Sequence, residues 1–190
     1  MHKPIIFMLR AGAMLMLFVC FPVALMAESE PLPQLVLPVP ADEHHRTYLG
    51  LQESGDGATF EVVEIDADIL LIELFSMYCP YCQAEAPLVN ELYELMQALS
   101  GSEPKVKIIG IGASNSDFEV DHFGKTYDVE FPLFSDQDMA IYNALAGAGT
   151  PGFVGARRDA AGGFSIVLRQ SGGFYSAADF LKELIAAGAN

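Results

Sequence analysis

From Ile69 to Phe75 the chain reads Ile-Leu-Leu-Ile-Glu-Leu-Phe, and four residues later it reaches Cys79-Pro80-Tyr81-Cys82. Seven residues with one charge and no alternation predict a strand covered on both faces, as found in the middle of a sheet with helices on either side. Proline suits the first helical position, and Leu88, Leu92, Leu95, Met96 and Leu99 recur at helical spacing up to Ser100-Gly101, so a helix is predicted from Pro80. The two cysteines therefore fall where a central strand hands over to a helix.

The rest of the pattern extends this unit. Residues 59–65 alternate as a half-buried strand, and 106–112 form a second buried strand. Ser116 is placed to cap a helix running to about Tyr127, with Asp117 and Glu119 in its first turn. Phe131-Pro132-Leu133-Phe134 predicts a short edge strand, because its proline cannot donate to a central ladder. A helix is expected over 136–146, two strands over 153–156 and 164–168 around a glycine-containing turn, and a last helix over 177–187. Strands alternating with helices, then two strands joined by a short turn, predict an α/β fold: a central mixed β-sheet flanked by helices, with an antiparallel edge.

At 190 residues the chain suits one domain plus a targeting segment. Residues 1–27 read as a signal peptide: Lys3 and Arg10 open it, and residues 11–27 carry no charge. An uncleaved anchor is the alternative, because the run is at the short edge of a membrane span and a cut after Ala27 leaves the large Leu25 where a small residue is expected. Cys20 as a lipid attachment site is disfavoured by the large residues 17–19 before it. Residues 28–46 read as an extended, proline-rich leader acting as a spacer, with four prolines between 28 and 41, and residues 47–190 as the domain.

Processing would remove two of ten basic side chains and none of the 25 acidic ones, taking the net charge from −15 to −17. Such a surface repels nucleic acid and anionic membranes and favours solubility. Contact with a membrane is thus expected only through the N-terminal segment, if it is retained. Cys20 would leave with that segment, so Cys79 and Cys82 would be the only cysteines. One close pair in an exported, oxidising setting marks a redox site, whereas a disulfide-stapled domain shows several spaced cysteines.

The spacing supplies the chemistry. Cys79 at the start of a helix faces unpaired N–H groups and the positive end of the helix dipole, which stabilise a thiolate, the nucleophilic form. Cys82 lies one helical turn on, within bonding reach, so Cys79 can attack a partner disulfide and Cys82 can resolve the mixed disulfide, or the sequence can run in reverse. A zinc site would need two further ligands, and His44, His45 and His122 lack ligand spacing. An inert staple across so short a loop adds little stability. Glu73 lies within the apolar run, where a carboxylate is expensive without a role. If buried, it would have a raised pKa and could pass protons to and from Cys82; exposure at the strand end is the alternative.

Around the cysteines the sequence resembles the thioredoxin superfamily, and most closely its exported TlpA/ResA-like branch, from about Phe60 to the C-terminus. Glu73, six residues before Cys79, falls at that family's buried strand carboxylate, and Pro87, five after Cys82, on the proline of its active-site helix. Glu85, in Cys-Gln-Ala-Glu-Ala-Pro, matches the branch's Cys-x-x-Glu-x-Pro and lies three residues beyond Cys82 on the same helix face, where it either modulates the pair electrostatically as part of the catalytic set or is a solvated helix glutamate; Thr150-Pro151 matches the branch's cis-proline loop. The resemblance implies a thioredoxin-like three-layer sandwich, with the added segment near 118–138 found in TlpA-like and peroxiredoxin-like members. It also implies a cis bond before Pro151, with the Thr150 backbone pairing with a bound peptide as an added strand. Tyr78 stands where the family carries tryptophan, and Pro80-Tyr81 reproduces the glutaredoxin dipeptide. Tyr78 and Tyr81 either form an apolar rim for clients or cover the cysteines.

The resulting expectation is an exported or periplasmic thiol-disulfide oxidoreductase that needs no metal or cofactor beyond its redox-active cysteines. Its partners would be the thiols and disulfides of client proteins and a membrane or periplasmic thiol donor. Two alternatives stand beside it. The stretch 129–136 also resembles peroxiredoxin sequence, although only half of that family's motif before the reactive cysteine is present: Ser76 stands at its Ser/Thr position, but Ile72 stands where it places proline. A non-enzymatic thioredoxin-like binding module is the other, since one fold hosts unrelated functions.

Overall fold

All seven residues of strand β3 (Ile69–Phe75) are buried, and the sheet is assembled around it. In the computed structural model, which describes residues 30–51, 57–99, 101 and 103–189, β3 pairs in parallel with β4 (Val106–Ala113) and antiparallel with β6 (Gly152–Arg158). β5 (Leu133–Asp136) lies parallel to the outer side of β4, and β7 (Phe164–Ser171) antiparallel to β6, giving the order β5-β4-β3-β6-β7. This is the mixed sheet that the sequence predicts.

Alternation along β3 sorts the core into two layers. Leu70, Ile72 and Leu74 point to one side with Ile109, Ile111 and Val154, and Ile69 and Leu71 point to the other with Ile108 and Phe153. The second side is covered by α2 (Pro80–Ala98) through Val89, Leu92 and Met96, and by α5 (Ala177–Gly188) through Phe180, Leu181 and Leu184. α3 (Asp117–Thr126) packs Val120 and Phe123 against Phe75 beside them. It starts at Ser116 with a reciprocal capping box to Glu119, as expected from the sequence. The segment near 118–138 thus supplies α3 and the edge strand β5.

The first side is closed by residues expected to be a spacer, and that expectation is corrected. Residues 31–38 are extended, but Leu35 and Leu37 are buried in the core. β1 (Val36–Pro38) pairs antiparallel with β2 (Thr59–Glu61), Pro31 bridges to Ser165, and residues 43–49 form α1 (Glu43–Leu49), which Asp42 caps. Each such leucine contributes about 1.5–3 kcal/mol on full burial, so the segment belongs to the body of the fold. The signal peptide expected over residues 1–27 lies outside the described residues. Among the described residues no helix is long and apolar enough to cross a membrane.

Two further elements are shorter than their patterns suggest. The strand expected over 59–65 stops at Glu61, because Val62–Glu64 turns into a 3-10 helix in which the Glu61 N–H donates to Glu64 Oε1 (2.6 Å). The helix expected over 136–146 is only α4 (Ala140–Ala144). Asp136 ends β5, and its buried carboxylate accepts from the N–H groups of Ile141 (3.0 Å) and Tyr142 (2.7 Å). The chain reaches that helix through Met139 at φ 60°.

Candidate active site

Helix α2 begins at the carboxyl end of β3, and Cys79 is its N-cap, with extended backbone at φ −89° and ψ 112°. Its sulfur accepts from the N–H of Cys82 at 3.3 Å, as a helix N-terminus offers an unpaired donor to whatever caps it. On its other side the Cys79 thiol donates to the Thr150 carbonyl at 3.2 Å. The Thr150–Pro151 peptide bond is cis and enters β6 directly, so the loop stands opposite the cysteines. Both thiols are free.

The two sulfurs differ in surroundings. Cys82 is fully buried against Phe75, Ala86, Val120 and Phe123, while Cys79 is half-exposed. Partial burial pushes the Cys79 thiol up, but hydrogen bonding with the Thr150 and Cys82 side chains and the Cys82 and Tyr81 backbones outweighs this and holds it below the ordinary cysteine value. Burial, reinforced by the hydrogen bond with Cys79, pushes Cys82 up to about 12. A low-pKa exposed thiol beside a high-pKa buried one separates an attacking sulfur from a resolving one.

Glu73 is 2% exposed, which removes the alternative of strand-end exposure. It lies between Leu71 and Phe75 on the side of β3 covered by α2. Burial, with the neighbouring charge of Glu85 as a second cause, raises its carboxyl to about 8. Glu85 is half-buried and accepts from the Phe174 N–H at 2.7 Å. A Cβ at Gly173 would collide with that carboxylate, which could keep its present place only beside glycine. Pro87 lies inside α2, where it removes the donor that would bond the Gln83 carbonyl. Pro80 occupies the first helical position. Tyr81 lines a cleft of about 320 Å³ with Glu85, Thr150 and Pro151, and is 77% exposed. Tyr78, 64% exposed, donates its hydroxyl to Glu119.

Two residues that sequence reasoning missed fix the loop before Cys79. Asn115, fully buried after β4, accepts from the Met77 N–H through Oδ1 (2.8 Å), while Gln83 in the first turn of α2 donates to the Met77 carbonyl (2.7 Å). The Met77 peptide is thereby held from both sides, and the Ser76 carbonyl accepts from the Cys79 N–H at 3.0 Å. Asn115 stands at the carboxyl end of a parallel strand, where functional groups of α/β sheets gather, and that position was the available signal. Asn115→Ala leaves the Met77 N–H without its partner; it should slow alkylation of Cys79 by about 5-fold or more at pH 7, and Gln83→Ala should act in the same direction. Iodoacetamide labelling followed by mass spectrometry of the Cys79 peptide checks this.

The sheet order, the helix begun by a Cys-x-x-Cys pair and the cis-proline loop facing it define a thioredoxin-like fold. The sequence profile of the AhpC/TSA family matches residues 33–160, and the chain belongs to that family. Among characterised relatives it is similar to the thiol-disulfide oxidoreductase ResA of Halalkalibacterium halodurans, 26% identical over 92 residues, which cover 48% of this chain and 49% of that protein. It is also similar to the soluble secreted antigen MPT53 of Mycobacterium tuberculosis, 24% identical over 103 residues, 54% of this chain and 56% of that protein. The chain thus matches about half the length of these curated relatives. Among solved structures, a secreted M. tuberculosis disulfide oxidoreductase homologous to E. coli DsbE aligns with TM-score 0.52 and 21% identity over 68% of this chain and 90% of that one. A thioredoxin-family thiol:disulfide interchange protein from Chlorobium tepidum aligns with TM-score 0.57 and 19% identity over 85% and 98%. At these identities the structures establish the fold.

Proposed function

We propose that this protein is an exported thiol-disulfide oxidoreductase that exchanges disulfides with client proteins through Cys79 and Cys82. The observation that carries the proposal is the asymmetry of the pair: a half-exposed Cys79 with a lowered pKa at the N-cap of α2, and a fully buried Cys82 one turn behind it. In the reducing direction the Cys79 thiolate attacks a client disulfide, forming a Cys79–client bond and releasing the other client sulfur as a thiolate. Cys82 then attacks the Cys79 sulfur, releases the second client thiolate and closes the Cys79–Cys82 disulfide. Two electrons pass to the client, and the dithiol is restored by a thiol donor; the same steps in reverse oxidise a client dithiol.

Glu73 is assigned the proton transfer that this sequence requires of Cys82. A thiol held at about 12 must lose its proton to attack, and a buried carboxyl titrating at about 8 beneath the same helix is matched to take it up and return it. Thr150 and Pro151 would receive the client backbone, with Pro80, Tyr78 and Tyr81 around the cysteines and Glu85 fixing the opposite wall of the cleft. The cysteine pair is the redox centre, with no added cofactor. Export rests on the N-terminal sequence and is supported by the secreted character of MPT53. The peroxidase alternative is the weaker reading, since Ser76 fits that family's motif but its proline position is held by Ile72, buried in the core.

Insulin reduction driven by dithiothreitol is the direct test: the wild-type chain should shorten the lag before precipitation, and Cys79→Ser should match the uncatalysed control. A wild-type rate no faster than Cys79→Ser would sink the proposal and favour the non-enzymatic binding module.

A further inference from the structure

Because β3, β4 and β7 end, and β6 begins, at the same edge of the sheet, four segments meet around the cysteines: residues 76–86, 114–119, 147–152 and 171–175. Every exposed Phe or Tyr among the described residues lies in these segments: Tyr78 (64% exposed), Tyr81 (77%), Phe118 (77%) and Tyr175 (104%). The other exposed large apolar residues among the described ones are Val36, in β1, and Val63, in the 3-10 turn after β2, and neither is aromatic. An aromatic ring left in water costs solubility and contributes nothing to the core, so four of them on one end of a strongly acidic chain mark a contact surface.

Charge is sorted along the same axis. The four segments carry Glu85, Asp117 and Glu119 and no Lys or Arg. Lys105 and Lys107 stand at the start of β4, and Arg157 and Arg158 at the end of β6, so four of the eight basic side chains in the described residues occupy the opposite end of the sheet. Two of the carboxylates are held in place, Glu119 by Ser116 and Tyr78, and Glu85 by the Phe174 N–H. Their charge is therefore fixed near the rings.

We infer that the active-site end docks an extended, cationic segment of a client, with Lys or Arg and apolar side chains flanking its cysteine. This rests on the oxidoreductase proposal and adds the class of substrate to it. The exposed rings offer faces to apolar side chains and to Lys or Arg, and the three carboxylates draw the same cations toward Cys79. A second copy of this chain is the wrong partner, because two such faces meet with like charge.

The test compares two short disulfide peptides that differ only in Lys or Glu around the same apolar residues and cystine. Rates with the reduced protein are divided by those with dithiothreitol, which removes the intrinsic effect of flanking charge on the disulfide. The normalised rate should favour the Lys peptide by about 10-fold at low salt and by only a few-fold at about 0.5 M NaCl. Phe118→Ala combined with Tyr175→Ala, two changes outside the core, should slow exchange with the Lys peptide by about 3- to 10-fold. Acceleration of both peptides to the same normalised extent overturns the inference and leaves the oxidoreductase proposal standing. No acceleration of either peptide beyond that given by Cys79→Ser overturns both. A dimer at micromolar concentration that the double aromatic change dissociates assigns the surface to a second copy and also overturns the inference.

Discussion

Replacing Cys82 by Ala is expected to turn the protein into a covalent trap. Cys79 keeps its place at the helix N-terminus and its hydrogen bonding with Thr150, so the first attack on a client disulfide proceeds. One of the contributions that lower the Cys79 pKa comes from the Cys82 side chain and is lost, whereas the Cys82 backbone N–H remains. The first step should therefore slow by only a few-fold. The second step has no nucleophile, and the Cys79–client bond persists until an external thiol attacks it, so turnover should fall by about 10³-fold or more, as expected when resolution must wait for a dilute intermolecular thiol. Non-reducing electrophoresis of Cys82→Ala expressed with its own N-terminal segment should show adducts that collapse with dithiothreitol, and none with the additional change Cys79→Ser. Mass spectrometry of the adducts identifies client and donor, and so the direction of electron flow. Adducts of the single change Cys79→Ser, with Cys82 kept, as abundant as those of Cys82→Ala would show that the sulfur assignment is wrong. Cys82 also fills core space against Phe75 and Phe123, but trimming one sulfur costs far less than a leucine-sized cavity, so the variant should remain folded.

The parts of this arrangement that were legible in the sequence share a physical property: a short stretch of chain determines them. β3 announces itself by an unbroken apolar run, and α2 by a proline at its first position and leucines at helical spacing. Ser116 and Glu119 close a capping box within four residues. The cysteines and Glu73 stand out by residue type and spacing, Thr150-Pro151 by its resemblance to the thioredoxin family's loop, and the sheet brings Thr150 to Cys79. What escaped depends on partners that residue type does not announce. β1 is three residues within a proline-rich stretch, too short for alternation to register, and it is held by pairing with β2 and by the burial of Leu35 and Leu37. Asp136 looks like the start of a long helix until its carboxylate is seen to cap Ile141 and Tyr142 from the end of a strand. Asn115 and Gln83 act on the backbone of Met77, and a backbone partner leaves no trace in residue identity. The aromatic end of the molecule is invisible for a similar reason, since its four rings span nearly a hundred residues and meet only through strand order.

Glu73→Gln should make the protein more stable and less active, and the size of the first effect depends on pH. The carboxyl titrates near 8 in the folded state, against 4.5 when unperturbed, because burial penalises its charge and Glu85 adds repulsion. Between those values the unfolded chain has lost the proton that the folded chain keeps, so the unfolded state binds fewer protons and stability falls as pH rises from about 4.5 to 8. Above 8 both states are ionised and the loss is complete; below 4.5 both are protonated and there is none. At 1.36 kcal/mol per pKa unit the full loss is on the order of 3–5 kcal/mol. Glutamine keeps the shape and cannot ionise, so the variant should gain most of that amount at pH 8.5 and almost nothing at pH 4, and its unfolding free energy should lose this slope between the two. Denaturant titrations of the reduced proteins across that range measure the difference. The same change removes the group assigned to the Cys82 proton, so release of a preformed Cys79 mixed disulfide should slow by about 10²-fold near pH 7, with a much smaller change in the first attack. Equal slowing of both steps would place Glu73 outside proton transfer. A stability gain independent of pH would show that its carboxyl is not the buried acid described here. Retention of a carboxylate that destabilises its own fold is understandable only if the second step needs it, and the two measurements together decide whether it does.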